Sequence, residues 1–122
     1  MRIAISAETN NGLDSVVAHH FGRCPFFALV DVDGKEIKEV EVIPNPFYSG
    51  HQPGQVPGFI KEQNADVMLS GGMGGRAIQF FQQFNIQTAT GASGTVQNAL
   101  ESYLGGNLSG AAPCKESVEH GH

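Results

Sequence analysis

The sequence predicts a single α/β domain with a mixed β-sheet and helices on both faces, a three-layer arrangement. Two patterns indicate this fold. Asp33-Gly34-Lys35 separates two strand-like runs, which predicts an antiparallel hairpin near the N-terminus. The chain then alternates helix-like and strand-like segments as far as residue 106, which favours parallel strands joined by helices. A length of 122 residues suits one domain.

The strands of the first half are short runs rich in β-branched residues. They are Arg2–Ala7 and the two hairpin strands at 26–32 and 36–43. The last of these alternates apolar and charged residues, with Ile37 and either Val40 or Val42 directed inward. We therefore expect it to be a half-exposed edge strand.

The second half predicts three helices and two further strands. A loop rich in proline and glycine precedes a helix that Pro57 starts and that ends near Gln63. Strand patterns follow at 66–70 and 86–89. Apolar residues at helical spacing mark the other two helices: Ala77, Phe80, Phe81 and Phe84 in one, and Val96, Ala99, Leu100, Tyr103 and Leu104 in the other. Residues 1–106 would form the domain and residues 107–122 a flexible tail.

Composition excludes several classes of function. A net charge of −5 without any cluster of Lys or Arg argues against nucleic-acid binding. No apolar run approaches the roughly 18 residues of a membrane helix, and the N-terminus turns polar too early for a signal peptide. The two cysteines, Cys24 and Cys114, form no Cys-x-x-Cys pair, which is typical of free thiols in a reducing compartment. We therefore expect a cytoplasmic protein.

Residues 19–24, the histidine segment, concentrate groups that bind metals. Imidazole and thiolate are ligands of soft and borderline metals, so His19, His20 and Cys24 are candidate ligands. Adjacent histidines in an extended chain point in opposite directions, so only one would share a face with Cys24. Arg23 would either offset the charge of an anionic ligand or pair with a carboxylate such as Asp14. A buried thiol beside exposed histidines is the structural alternative.

Residues 70–75, the glycine loop, have the sequence Ser-Gly-Gly-Met-Gly-Gly and lie between a strand pattern and a helix pattern. The loop has neither the dinucleotide fingerprint nor the P-loop lysine. It does place main-chain amides and a helix N-terminus at the carboxyl end of a strand, where anions bind. Gly72, Met73, Gly74 and Gly75 are therefore candidate binding residues, with Met73 offering a weak thioether. A second loop, residues 91–95, repeats the arrangement and could converge on the same pocket.

The tail carries Cys114, His120 and His122, which are also metal-ligand types. A tail that captures metal or closes over the pocket is one interpretation, and incidental histidines are the other. No catalytic triad signature is present, and the best enzymatic alternative is a thiol enzyme that uses Cys24 with a neighbouring histidine. We expect a protein that is not an enzyme.

Four stretches of the chain resemble small stand-alone members of the dinitrogenase iron–molybdenum cofactor biosynthesis family. They are residues 1–5, residues 20–23, residues 65–67 together with residues 71–77, and Thr95-Val96. The resemblance implies a ribonuclease H-like fold without nuclease activity, and binding of iron–molybdenum or iron–sulfur clusters with His20 as a ligand. Family members often have Ala-Pro where this chain has Cys24-Pro25.

These observations lead to one main hypothesis and two alternatives. The main hypothesis is a non-enzymatic carrier of an iron–molybdenum or iron–sulfur cluster, or its precursor, between donor and acceptor proteins of metallocluster assembly. His20 and Cys24 would be ligands, Arg23 would offset charge, and the amides of the glycine loop would cradle the cluster. The alternatives are oxoanion or nucleotide binding through the glycine loops, and a thiol enzyme.

Overall fold

The structure is a computed structural model that describes residues 1–50 and 54–108. These residues form β1 (Arg2–Ala7), β2 (Phe26–Asp33), β3 (Glu36–Pro44), α1 (Gln55–Glu62), β4 (Val67–Leu69), α2 (Gly75–Gln83), β5 (Gln87–Ala89) and α3 (Val96–Leu104). The strands make one sheet in the order β3-β2-β1-β4-β5. β2 is antiparallel to β1 and β3, whereas β4 and β5 run parallel to β1. The predicted mixed α/β fold is confirmed.

The sheet separates two apolar clusters, which gives the molecule its three layers. In β1, Ile3 and Ile5 belong to the cluster that α3 covers, whereas Ala4 belongs to the cluster under α1 and α2. This division follows from the two-residue period of a strand. All three side chains are fully buried, because β1 lies at the centre of the sheet with helices on both sides.

β3 is an edge strand, as its alternating sequence predicts. Its register shifts beside Asp31: Glu39 pairs with Asp31 and Ile37 pairs with Val32, so Lys38 has no opposite residue. Such a β-bulge changes the alternation of side chains. It lets Ile37 join Val40 and Val42 on one face, where all three pack, partly buried, against the first cluster.

Two helix predictions need correction. α1 begins at Gln55, so Pro57 lies within its first turn, where a missing N–H leaves no hydrogen bond unmade. In α2 the buried side chains are Ile78 and Phe81, and Ala77 and Phe84 pack, partly buried, against the same cluster. The predicted apolar face is therefore right at Ala77, Phe81 and Phe84, but it includes Phe80, which is absent from the cluster, and omits Ile78.

The described helices are short, with eight residues in α1 and nine in each of α2 and α3. None of those helices has the length and apolar character needed to cross a bilayer.

Candidate ligand-binding cleft

The histidine segment crosses the carboxyl ends of β1 and β4 and is held there by main-chain hydrogen bonds. The Ala18 amide donates to the Ser6 carbonyl at the end of β1 over 2.9 Å. The Ala18 carbonyl accepts from Gly71 over 3.1 Å, and the Phe21 amide donates to the Gly72 carbonyl over 2.9 Å. The histidine segment and the glycine loop, about 50 residues apart in sequence, are therefore neighbours.

This approach requires a glycine at position 71. A methyl group there would lie 2.9 Å from both the Cα atom and the carbonyl oxygen of His19, and 3.0 Å from the carbonyl oxygen of Ala18. These are main-chain atoms, which cannot turn away as a flexible side chain would. Gly71 therefore allows the two segments to lie in direct contact.

The second loop, residues 91–95, lies beside the glycine loop. The amides of Gly91 and Ala92 donate to the carbonyls of Gly71 and Ser70 over 3.0 and 3.2 Å. The Gly94 carbonyl accepts from Val17 over 2.9 Å. The two loops thus meet, but the residues that line the cleft described next come from the first loop and not from the second.

A cleft of about 330 Å³ opens between the histidine segment and the first turns of α1 and α2. Its volume lies at the lower end of the range for small-ligand sites. The lining residues are Phe21, Gly22, Val56, Pro57, Gly74, Arg76 and Ala77.

The electrostatics of this cleft favour an anion. The N-cap residues of α1 and α2, Gly54 and Gly74, have no side chain that could cap the helix, and neither first turn contains an acidic residue. By contrast, the Thr95 hydroxyl caps α3 by accepting a hydrogen bond from the Asn98 amide over 3.1 Å. Uncapped first-turn amides carry partial positive charge, and Arg76 adds a full one. The positive ends of two helices therefore meet at one cleft.

The two histidines are both exposed, and neither is among the residues that line the cleft. Their ring centroids are only 6.5 Å apart, so the rings lie close together instead of on opposite sides as the sequence predicts. The reason is that the chain bends at His19 and does not continue as an extended strand. His20 immediately precedes Phe21, which lines the cleft, and it forms a β-bridge with Gly72.

Cys24 lies in a different environment. Phe21 and Gly22 form a turn, with Gly22 at a φ of 89°, and the chain then enters the core. The Cys24 side chain is fully buried in the cluster beneath α1 and α2. Burial raises the pKa of the thiol to about 11, because neighbouring donors such as the Ser6 hydroxyl offset only part of the cost of burying a thiolate. In this conformation the thiol is protonated at neutral pH.

The other predicted residues are divided between the surface and the core. Arg23 is exposed and forms no ion pair with Asp14 or any other residue in the described ranges. Met73 is 1% exposed, and its thioether packs in the same apolar cluster as Cys24. Gly74 lines the cleft and Gly75 begins α2, whereas the Gly72 carbonyl accepts hydrogen bonds from Phe21 and Ser70.

Among residues 1–50 and 54–108, no three His, Cys, Asp or Glu side chains are placed to hold one metal ion. His19, His20 and Cys24 therefore do not form a three-ligand group. The remaining predicted ligands, Cys114, His120 and His122, lie outside the described residues.

Arg76 and the first turn of α1 are the cleft residues that the sequence analysis missed. Arg76 is a basic residue in the first turn of a helix, a position where acidic side chains are favoured. That reversal was a usable signal for an anion site. Val56 and Pro57 gave no comparable signal, because only the tertiary fold brings α1 against α2.

The fold and the cleft define a small α/β protein with a positively charged cleft between the first turns of two helices and the segment that follows the histidines. More specifically, the chain belongs to the family described as dinitrogenase iron-molybdenum cofactor, whose sequence model matches residues 1–106. The predicted family is thereby confirmed. Membership connects this chain with the iron–molybdenum cofactor.

Solved structures and a curated relative agree with this assignment. The crystal structure of PH0822 is 39% identical with a TM-score of 0.79, over 89% of this chain and 95% of that one. The apo form of the orange protein from Desulfovibrio gigas is 28% identical with a TM-score of 0.81, over 92% of this chain and 93% of that one. The Methanocaldococcus jannaschii protein named Uncharacterized protein MJ0580 is 26% identical over 110 residues, which are 88% of this chain and 89% of the relative.

Proposed function

We propose that this protein binds and carries an anionic iron–molybdenum or iron–sulfur cluster, or a precursor of one, during metallocluster assembly, without catalysing a reaction. The observation that carries the proposal is the cleft where the N-terminal turns of two helices and Arg76 meet next to His20, which precedes the lining residue Phe21. Clusters built from sulfide and metal ions are commonly anionic. A positively charged cleft with the exposed imidazole of His20 next to it suits such a cargo.

The number of protein ligands fits a carrier better than a permanent holder. A resident iron–sulfur cluster is usually held by four cysteine thiolates. Here His20 would supply one metal bond, while the amides near Gly74 and the Arg76 guanidinium would offset charge. Arg23, exposed in the histidine segment, would add a second cation. Cargo held by so few bonds can pass to an acceptor protein.

Cys24 could act as a metal ligand in this proposal only if its segment changed conformation. Its thiol is fully buried and its pKa is raised to about 11, so it cannot bind a metal while the segment keeps this conformation. Ligation by Cys24 would require residues 22–24 to move outward. The same burial and raised pKa argue against the thiol-enzyme alternative, since a nucleophilic cysteine needs an accessible thiolate.

A second candidate function is binding of a simple oxoanion or a nucleotide phosphate. Arg76 and the two helix N-termini favour it, because hydrogen-bond donors and a guanidinium suit oxygen anions without any metal. In that case the cleft would bind its ligand independently of His20.

Anaerobic reconstitution with iron and sulfide, with and without molybdate, tests the proposed function. After desalting, the protein should retain stoichiometric metal and show charge-transfer absorption. Arg76→Gln and His20→Ala should each weaken cargo binding about tenfold or more, because each removes a group that contacts the anion. Lys35→Gln is the matched control, since it removes one positive charge from the exposed hairpin turn.

Equal losses in Arg76→Gln and Lys35→Gln would contradict the assignment to this cleft, since only overall charge would then matter. A protein that retains no metal, yet is stabilised against heat by molybdate or phosphate in an Arg76-dependent way, would favour the second candidate.

A further inference from the structure

A groove of about 320 Å³ lies on the sheet face beside the edge strand β3. The lining residues are Arg2, Leu29, Asp31, Glu39, Val40 and Glu41. All six belong to β1, β2 or β3, so no helix residue of the described ranges lines the groove. Asp31 pairs directly with both Arg2 and Glu39, and Leu29 pairs with Glu41. Directly paired residues share a face of the sheet, so these side chains form two neighbouring rows.

The groove carries more acidic than basic groups. Arg2 bonds to Asp31 twice, with Nε 2.9 Å from Oδ1 and Nη2 3.2 Å from Oδ2. Its Nη1 donates to the Gln63 carbonyl over 2.8 Å, so all three guanidinium nitrogens already have a partner. Glu39 and Glu41 are exposed and form no ion pair among residues 1–50 and 54–108. Three carboxylates and one guanidinium therefore leave the groove with a net charge of −2.

These carboxylates repel one another in the unbound protein. Asp31 and Glu39 lie directly opposite across β2 and β3, where like charges destabilise a sheet. Glu41 follows on the same face two residues along the strand. The hydrogen bond with Asp31 raises the pKa of Arg2, and the charges of Glu41 and Glu39 raise it further, so both glutamates act on this groove. A bound cation would relieve the remaining repulsion.

The outer edge of β3 is open beside the groove. β3 is the outermost strand, and within the described part of the chain it pairs only with β2. The outward N–H and C=O groups of such a strand are available to a further strand. The β-bulge at Lys38 interrupts the pairing with β2, and from there the register is regular over residues 39–44. That stretch has the usual length of a strand.

The charges determine which strand fits this edge. An antiparallel second copy centred on Val40 would place Glu39 opposite Glu41 of the other chain, and like charges at that distance repel. A strand with lysine or arginine at every second position would instead direct its cations towards both glutamates, because side chains alternate with the same period on both strands. The aliphatic stems of those cations would pack on Leu29 and Val40.

We propose that β3 and the groove beside it dock an extended segment of a partner protein, with lysine or arginine at alternate positions, which adds to the sheet as a sixth strand. Docking here leaves the cleft open. The groove lies at Arg2, where β1 begins, whereas the cleft lies beside the segment that crosses the carboxyl end of β1. The inference goes beyond the proposed cargo binding and does not rest on it.

Fluorescence anisotropy with a short labelled peptide of alternating lysine and valine tests this surface. The full chain should bind the peptide saturably at low ionic strength, and added salt should weaken the binding. Glu39→Gln combined with Glu41→Gln should lower the affinity about tenfold or more, because both unpaired carboxylates are lost. The amides of residues 39–43 should become protected from hydrogen exchange when the peptide is bound.

A matched variant and a matched peptide separate strand docking from overall charge. Glu8→Gln combined with Glu101→Gln removes the same charge from exposed positions outside the groove and should leave peptide affinity unchanged. A peptide of the same composition with its lysines grouped at one end should bind about tenfold more weakly. The melting temperature of the Glu39→Gln/Glu41→Gln variant should not fall, since the change removes like-charge repulsion.

Equal losses of affinity in the two double variants would overturn the proposal, as would equal affinity for the two peptides. Protection of residues 39–43 in a dimer without peptide would assign the edge to a second copy and contradict the proposed partner.

Discussion

At the scale of single residues, Cys24 shows that a residue's chemistry depends on its burial. A thiol four residues from an exposed histidine resembles a metal-binding pair in the sequence. In the fold, the turn at Gly22 directs Cys24 into the core, where its pKa is raised to about 11. No local pattern in the sequence distinguishes this outcome from ligation, because burial depends on how α1 and α2 pack over the sheet.

The raised pKa of Cys24 predicts a loss of stability in alkali. An unfolded thiol ionises near 9.0, whereas the folded one keeps its proton to about 11, so the unfolded state is favoured as the pH rises through this window. In a Cys114→Ser background, the free energy of unfolding should fall by about 2 kcal/mol more between pH 9 and 11 than it does in the same protein with Cys24→Ala. Urea unfolding at several pH values measures this difference. Parallel curves for the two proteins would contradict the assigned burial.

Replacing Gly71 or Gly58 by alanine should change the free energy of unfolding in opposite directions. Gly71→Ala should lower the free energy of unfolding by about 1–3 kcal/mol, because the new methyl group meets the main chain of His19 at 2.9 Å. Gly58→Ala should raise it by about 0.5–1 kcal/mol, because Gly58 lies in α1 with open space around it. Urea denaturation measures both. A harmless Gly71→Ala would mean that the histidine segment does not lie against the glycine loop.

At the scale of elements, the proposed binding depends on the N-terminal ends of α1 and α2 and not on their faces. α3 begins at Thr95, whose side chain caps it, whereas α1 and α2 begin at glycines and their first turns border the cleft. An uncapped terminus is a cost to stability that a bound anion relieves. An amide N–H that donates a hydrogen bond to a capping side chain is less able to donate one to a bound ligand.

Gly74 allows this conflict to be tested. Its φ of −70° and ψ of 155° suit any residue, so Asn or Asp can adopt this backbone conformation. Either substitution should stabilise the protein by about 0.5 kcal/mol through an added cap. Gly74→Asp should also weaken anion binding about tenfold relative to Gly74→Asn, because only Asp adds a negative charge. Thermal unfolding and cargo titration measure the two effects, and equal affinities for both variants would place the anion elsewhere.

At the scale of the whole molecule, the sequence was most informative where periodicity alone decides structure. β1, the hairpin and the alternation of helices and strands follow from local patterns, and so does the mixed sheet. The predicted face of α2 is right at Ala77, Phe81 and Phe84, but the burial of Ile78 in place of Phe80 depends on how α2 packs on the sheet and α1. Arg76 joins the cleft, and His19 turns towards His20, through contacts between distant segments. These are the features that a single sequence does not encode locally.

Amide chemical shifts recorded while the anionic cargo is added test most directly whether this cleft is the binding site. The amides of Gly74, Gly75 and Arg76 should shift strongly, together with Phe21 and Gly22 across the cleft. The capped first turn of α3, at Val96 and Gln97, serves as the internal reference and should not move. Shifts concentrated at α3, or spread evenly over the surface, would contradict an anion site between α1, α2 and the histidine segment.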